Sequence, residues 1–353
     1  MSDYKDNPFI AFSGGFPYRL PLWTSRRIFY PPTPNNDDGT AMFAPYGLRK
    51  VEAALINYGF DSNDIATVQP EDLKKFIGPD TKVVAISSMD PLGLGYVSFT
   101  YSTFIGWGEI PCTLYFFSKL IHSKALKKYN PKIIVGGAGA WQIGKNARKA
   151  YGIDCVVIGE GDKIIGKLVE KVIKGEPIPE VVTTKKSPEV IEIPKICNPA
   201  IHGVVEISRG CGRNCQFCTP TMRKKRDIPI EQILKEVDVN VKQGTGLITL
   251  ATEDLFLYRC EMNGKFQPNG LEVYNLVKKI SERPDVKGIQ PAHVSLAPVI
   301  ADPEMVSEVS HILQGFCRFK YNGKPVITAE TGIETGSPRL IKKYMKGAKN
   351  LRE

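Results

Sequence analysis

Short β-branched runs alternate with amphipathic stretches along most of this chain, and nearly every run ends in glycine, serine or an acidic residue. That rhythm restricts the fold to parallel sheets with helical crossovers, because parallel strands cannot be joined by tight turns. In the first half, Leu48, Val51, Leu55 and Tyr58 share one face of a helix that Gly59 would end. A short strand is expected at Ile65–Val68, then buried strands at Val83–Ser87, Ile133–Val135 and Cys155–Ile158. A helix from Asp162 carries Ile164, Ile165, Leu168, Val169, Val172 and Ile173. The pattern predicts a doubly wound parallel sheet, whose ligands sit beyond the carboxyl ends of the strands. Those ends are Ser88–Gly95, Gly136–Ala140 and Gly159–Asp162.

Pro177, Pro179, Pro188, Pro194 and Pro199 mark residues 176–202 as an extended linker. Beyond it, strands are expected at 203–208, 246–250, 287–293 and 325–329. Helices follow from Pro229, around Val273–Ile280, from Asp302-Pro303 and from Ser337-Pro338. Four β/α units in a row predict a partial (β/α) barrel over 203–353, incomplete at its C-terminus, with reacting groups on the loops after the strands. Residues 46–175 form the first domain, and the Pro-, Gly- and aromatic-rich residues 1–45 an irregular N-terminal arm.

A length of 353 residues suits two domains, and 42% hydrophobic with 24% charged residues is the composition of a globular chain with real cores. The most apolar region, Tyr96 to Leu120, is broken by Glu109 and Pro111, so no transmembrane segment is expected. The first residues lack the basic and apolar regions of a secretory signal, which predicts a cytoplasmic protein. The net charge of +10 is a mild bias that solubility explains about as well as a polyanionic partner or an anionic membrane surface.

Of eight cysteines, Cys112, Cys155, Cys197, Cys260 and Cys317 stand alone, and three cluster as Cys211-Gly-Arg-Asn-Cys215-Gln-Phe-Cys218. Clustered thiols in a reducing compartment point to metal. Three thiolates at CxxxCxxC spacing after an apolar run can hold three irons of a cubane and leave the fourth open, whereas electron-transfer clusters carry four cysteine ligands. An open coordination position marks a catalytic metal centre. The plainer alternative is a structural zinc or iron–sulfur site with Cys197 or Cys260 as fourth ligand. It would make the chain a non-catalytic binding module.

The spacing, the aromatic Phe217 before the last cysteine, and the order strand, cysteine loop, helix, strand, acidic loop resemble the radical S-adenosylmethionine (radical SAM) superfamily. The resemblance implies a 4Fe-4S cluster on Cys211, Cys215 and Cys218, with S-adenosylmethionine chelating the fourth iron. The reduced cluster would cleave it to a 5′-deoxyadenosyl radical. Phe217 would pack beside the adenine. Thr252 and Glu253, in Ala251-Thr-Glu-Asp254, stand where family members hold the methionine ammonium with Gly-Gly-Glu. Glu330 and Glu334, in Glu330-Thr-Gly-Ile-Glu-Thr-Gly-Ser337, resemble a loop of members with an N-terminal cobalamin-type domain, and would reach the ribose or ammonium. Their alternative is a solvated carboxylate, or one paired with Arg339 or Lys342. The basic run Arg223–Arg226 is expected on an exposed loop, with contact to a phosphate-bearing substrate as the minor alternative.

The first domain, with Gly136-Gly137 and Gly159-Glu160-Gly161, resembles the cobalamin-binding domains fused to many of these enzymes. None of His122, His202, His293 and His311 lies in an Asp-x-His-x-x-Gly motif, so any cobalamin would lack that histidine ligand. Ser88–Gly95 could line its cleft through glycines. An equal alternative is a turn-rich sheet edge with no cofactor. The resemblance implies methylation, cyclisation or carbon–carbon bond formation at an unreactive carbon of a small-molecule or lipid-like substrate. Electrons would come from a ferredoxin or flavodoxin. A tRNA methylthiotransferase, with nucleic acid as partner, is the second enzyme reading, because Cys218-Thr-Pro220 followed by basic residues resembles that group. Those enzymes use three N-terminal cysteines for a second cluster, and Cys112, Cys155 and Cys197 are not at the strand ends it would need.

Overall fold

The computed structural model of the protein describes residues 14–18, 31–212, 224–261, 267–333 and 335–344. The chain divides into two compact units, Met1–Ile201 and His202–Glu353.

In the first unit α1 (Tyr46–Tyr58) precedes β1 (Val83–Ser87). There follow α2 (Cys112–Ile121), α3 (Lys124–Tyr129), β2 (Lys132–Gly136), α4 (Lys145–Ala150), β3 (Cys155–Ile158), α5 (Ile165–Ile173) and β4 (Val181–Thr183). The four strands pair in parallel, in the sequential order β1-β2-β3-β4. Alternate residues of each strand point to opposite faces, so each face can bury its own set. Ile86, Val135 and Val156 pack with Phe117, Ile121 and Leu126 of α2 and α3. Ile134, Cys155 and Val157 pack with Leu55 of α1 and Ile165 and Leu168 of α5. Both faces are thus covered, as the doubly wound reading requires.

Three expectations need correction here. Ile65–Val68 forms no strand; it is extended chain whose Thr67 carbonyl accepts from Ala41 N–H, so it lies outside the ladder. Residues 181–183, within the stretch read as linker, supply β4. Three β-branched residues among prolines are too short a run to announce a strand. Third, α1 buries Arg49, Lys50 and Glu52 beside Leu55 and exposes Tyr58. Arg49 is held by Glu52 at 3.0 Å and by the carbonyls of Pro199 (2.9 Å) and Ala41 (2.7 Å). Lys50 donates to the Pro194 carbonyl at 2.6 Å. A buried charge is tolerated when paired and hydrogen-bonded, and these bonds fasten the end of the first unit to its first helix.

The described pieces of the arm pack on the same unit. Tyr18 stacks on Tyr115 with ring centroids 3.8 Å apart, and Ser102 Oγ donates to the Gly15 carbonyl at 2.7 Å.

In the second unit β5 (Val204–Glu206), β8 (Leu247–Ala251) and β9 (Gly288–Pro291) form a three-stranded parallel sheet. Between β5 and β8 lie β6 (Ser208–Arg209), β7 (Arg226–Asp227) and α6 (Ile230–Lys242). Between β8 and β9 runs α7 (Gly270–Ser281), and after β9 come α8 (Leu296–Ala301) and α9 (Pro303–Gln314). Asp302 caps α9 by accepting from Met305 N–H at 3.0 Å, with Pro303 at its first position. This is the cap that Asp302-Pro303 predicts.

The fourth unit differs from expectation. β10 (Phe319–Tyr321) and β11 (Lys324–Val326) close an antiparallel hairpin, so residues 324–326 pair backwards onto 319–321. The chain rejoins the parallel sheet only at Glu330, bridged to His293, before α10 (Pro338–Tyr344). Asn322-Gly323, both at positive φ, supply the tight turn that diverts this segment into a hairpin.

Tyr258, fully buried after β8, donates from its hydroxyl to the Ile228 carbonyl at 2.7 Å. It ties the chain beyond β8 to the strand that returns from the cysteine loop. Tyr258→Phe leaves that carbonyl without this donor, and is expected to cost about 1–2 kcal/mol in urea unfolding.

Candidate active site

The cysteine loop leaves the sheet at Arg209 and returns at Arg226. There β6 and β7 pair antiparallel, Ser208 opposite Asp227 and Arg209 opposite Arg226. Ile207 N–H donates to the Ala251 carbonyl at 3.0 Å, and Ile228 N–H to the Ile207 carbonyl at 2.9 Å. Both ends of the loop are therefore anchored on the carboxyl side of β5. Cys211, half-buried, lies just past this anchor between Gly210 (φ 77°) and Gly212 (φ 74°). Two left-handed positions in three residues turn the chain sharply at the thiol, a geometry glycine alone adopts cheaply. Cys215, Phe217 and Cys218 lie outside the described residues, as does Glu334.

The anchor also corrects the reading of the basic run. Pairing of β7 buries Arg226, and Lys225, with its side chain only 4% exposed, pairs with Asp227. Of the described residues in the run, Lys224 alone is exposed.

At the carboxyl ends of β5, β8 and β9 lies a cavity of about 220 Å³, lined by Glu206, Ser208, Arg209, Gly210, Thr252, Glu253 and His293 among others. It borders the root of the cysteine loop. Thr252 is buried, and its hydroxyl is engaged by Ser208 Oγ at 2.6 Å and by the Asp254 N–H at 3.2 Å. It braces the loop after β8 against the strand that opens the cysteine loop. Glu206 and Arg209 form a multidentate pair at 2.8–3.1 Å. Burial pushes the Glu253 carboxyl up; the nearby His293 opposes the shift and Glu206 adds to it. Glu330 is half-buried, and its carboxylate lies 3.0 Å from His293 Nε2; Arg339 is not its partner.

The structure thus brings Thr252, Glu253 and Glu330 to the same sheet end as Cys211. Sequence reasoning missed His293, Ser208 and the Glu206–Arg209 pair. For His293 the available signal was its position as the last residue of an expected barrel strand, where a polar side chain faces the site.

In the first unit the carboxyl edge of the sheet is tightly knit. A Cβ on Gly139 would fall 2.3 Å from the Met89 carbonyl oxygen, so only glycine lets the loops after β1 and β2 meet this closely. Asp90 accepts from Gly95 N–H at 2.9 Å and from Gln142 Nε2 at 2.6 Å. Gly93 and Gly95 pack against Pro111 and Asp90, so they serve this knit rather than the wall of a cleft.

The lone cysteines are dispersed. Cys112 and Cys155 are buried, Cys197 is exposed, and burial raises the Cys155 thiol to about 11. Among the described residues no three His, Cys, Asp or Glu side chains are grouped to hold a metal, and no helix is long and apolar enough to cross a membrane.

No family model matches the chain. It is 31% identical over 151 residues to the tRNA-2-methylthio-N(6)-dimethylallyladenosine synthase of Thermodesulfovibrio yellowstonii, covering 41% of this chain and 34% of that protein. The ribosomal protein uS12 methylthiotransferase RimO of Carboxydothermus hydrogenoformans is 26% identical over 234 residues, 64% of this chain and 47% of that one. The chain therefore spans between a third and a half of these curated relatives. Among solved structures, the radical S-adenosylmethionine methyltransferase TsrM from Kitasatospora setae, with tryptophan and a S-adenosylmethionine analogue bound, superposes with a TM-score of 0.57. That match covers 86% of this chain and 59% of TsrM at 14% identity. TsrM has also been solved with cobalamin and a 4Fe-4S cluster bound, and that structure gives a TM-score of 0.55. The chain thus shares its fold with TsrM over most of its length, an α/β first unit followed by a partial barrel, and shares sequence over part of its length with the methylthiotransferases.

Proposed function

We propose that this protein is a radical S-adenosylmethionine enzyme that modifies an unreactive carbon by methylation, cyclisation or carbon–carbon bond formation. The observation that carries this reading is the shared cavity: the root of the cysteine loop and the half-buried Glu253 carboxyl line one space at the carboxyl end of the parallel sheet. Three soft thiolates at 211, 215 and 218 suit iron of a 4Fe-4S cluster and leave one iron for the cofactor. When bound, the cluster supplies the electron for reductive cleavage of S-adenosylmethionine. The protein's own part is to bind, orient and exclude water. Glu253, raised by burial, gains from a cationic partner, which the methionine ammonium would supply. Glu330 and Glu334 would take the ribose hydroxyls or the ammonium, and Phe217 the adenine.

The carboxyl edge of the first sheet suits a large cofactor such as cobalamin. Gly137 and Gly139 bring its two loops into close contact, and the exposed Met89, Leu94 and Trp141 border it. Residues 88–95 and 136–142 contain no histidine, so that motif's ligand would be lacking there. A small-molecule or lipid-like substrate and a ferredoxin or flavodoxin donor complete the proposal, in a cytoplasmic setting. The methylthiotransferase reading is favoured by the curated relatives. It requires a second cluster, and the dispersed Cys112, Cys155 and Cys197 do not assemble one.

The test is electron paramagnetic resonance on anaerobically reconstituted, dithionite-reduced protein, with and without S-adenosylmethionine, alongside iron analysis. A cubane signal that shifts on adding the cofactor supports the proposal. A signal indifferent to it, or zinc in place of iron, would sink the enzyme reading. Iron in excess of one cubane per chain would move it to the methylthiotransferases.

A further inference from the structure

His293, just beyond β9, makes two contacts at once. Its Nδ1 lies 3.1 Å from the Thr252 carbonyl oxygen and its Nε2 lies 3.0 Å from Glu330 Oε2. A carbonyl oxygen only accepts, so Nδ1 carries a hydrogen. The second contact then needs a proton of its own, on the ring or on the carboxyl, because a bare ring nitrogen and a carboxylate are both acceptors. The backbone holds the two side chains in register. Glu330 N–H donates to the Ala292 carbonyl at 2.8 Å, and Val294 N–H to the Glu330 carbonyl at 2.9 Å. The Leu255 N–H donates to the His293 carbonyl at 3.0 Å, so the loop after β8 is fastened to the same residue.

The charged groups around the ring are mostly acidic. Glu253 faces it from the loop after β8, Glu330 from the bridge, and Glu206 with its partner Arg209 from the end of β5. Asp254, on the loop after β8, is engaged by Ser295.

We propose that His293 is a positioning residue of the cofactor site: it shares a proton with Glu330, fixes the direction of that carboxylate, and offsets the acidic groups about it. This rests on reading Glu253 and Glu330 as S-adenosylmethionine-binding groups.

Two substitutions separate the contacts. His293→Gln can still donate to Glu330 but loses the ring nitrogen that faces Thr252. His293→Asn can keep the bond toward Thr252 and cannot reach Glu330. S-adenosylmethionine binding to the reconstituted full chain, measured by calorimetry, is expected to stay within about twofold of the parent in His293→Gln. His293→Asn is expected to bind about tenfold more weakly, the scale of one charge-assisted hydrogen bond. With four histidines in the chain, ring nitrogen shifts of the cluster-free protein can be assigned by nuclear magnetic resonance. Glu330→Gln should move the His293 ring signals and leave the other three in place. Both variants binding like the parent, or His293 signals indifferent to Glu330→Gln, would overturn this inference alone. A parent chain that binds no S-adenosylmethionine would overturn the functional reading as well.

Discussion

Cys211→Ser is expected to abolish the reduced-cubane resonance signal and to lower S-adenosylmethionine cleavage by at least about a thousandfold, equivalent to about 4 kcal/mol of barrier. A serine hydroxyl does not ionise near neutral pH and is a hard donor, whereas iron of a cubane selects soft thiolate. Position sharpens the expectation. Cys211 stands between two left-handed glycines directly after the β6–β7 anchor, so its thiol starts from a backbone fixed by the sheet. Cys260, the other cysteine of the second unit near β8, is buried, and Cys197 is exposed. If either were a fourth ligand of a structural site, Cys197→Ser or Cys260→Ser would cost iron as Cys211→Ser does. The expected result is full iron and a cofactor-responsive signal in both. Retention of the cubane in Cys211→Ser would remove the residue from the ligand set.

Much of the architecture was legible because parallel sheets buried on both faces need continuous apolar runs. β1 and β3 fall on the residues where those runs predict strands, and α9 begins on the predicted Asp302-Pro303 cap. What stayed illegible has a common cause: the residues are polar or few, and only tertiary contacts decide their place. Arg49 and Lys50 carry no signal of burial in the sequence, because it is the carbonyls of Pro199 and Pro194 that hold them. Arg226 reads as loop decoration until two residues of β7 pair with β6. Residues 324–326 have strand composition, but composition does not say whether the partner is β9 or the preceding β10. The site divides the same way. The spacing pointed to Cys211 and the family resemblance to Glu253 and Glu330, while His293 carries no motif and becomes visible only through its contacts with Thr252 and Glu330.

Glu253→Gln is expected to stabilise the cofactor-free protein at neutral and alkaline pH while weakening S-adenosylmethionine binding by about 10- to 100-fold. Burial is the main cause of the raised Glu253 carboxyl, with the proximity of Glu206 adding to it and His293 working against it. The folded state therefore keeps its proton to higher pH than the unfolded chain does. Its favourable contribution is whole below the unfolded value and is lost as pH rises through the folded one. Above that window the folded protein holds a desolvated carboxylate, and an uncharged amide of nearly the same shape relieves the cost. The gain over the parent should grow as pH rises above the ordinary carboxylate range and vanish below it, read as unfolding midpoints in urea. Binding moves the other way, because hydrogen bonds to charged groups contribute about 1.5–3 kcal/mol and the amide forfeits the charge. S-adenosylmethionine should accordingly flatten the parent's alkaline loss of stability and leave the variant's curve nearly unchanged. A variant that binds the cofactor as the parent does would assign the ammonium to another group, leaving Glu330 as the first to test.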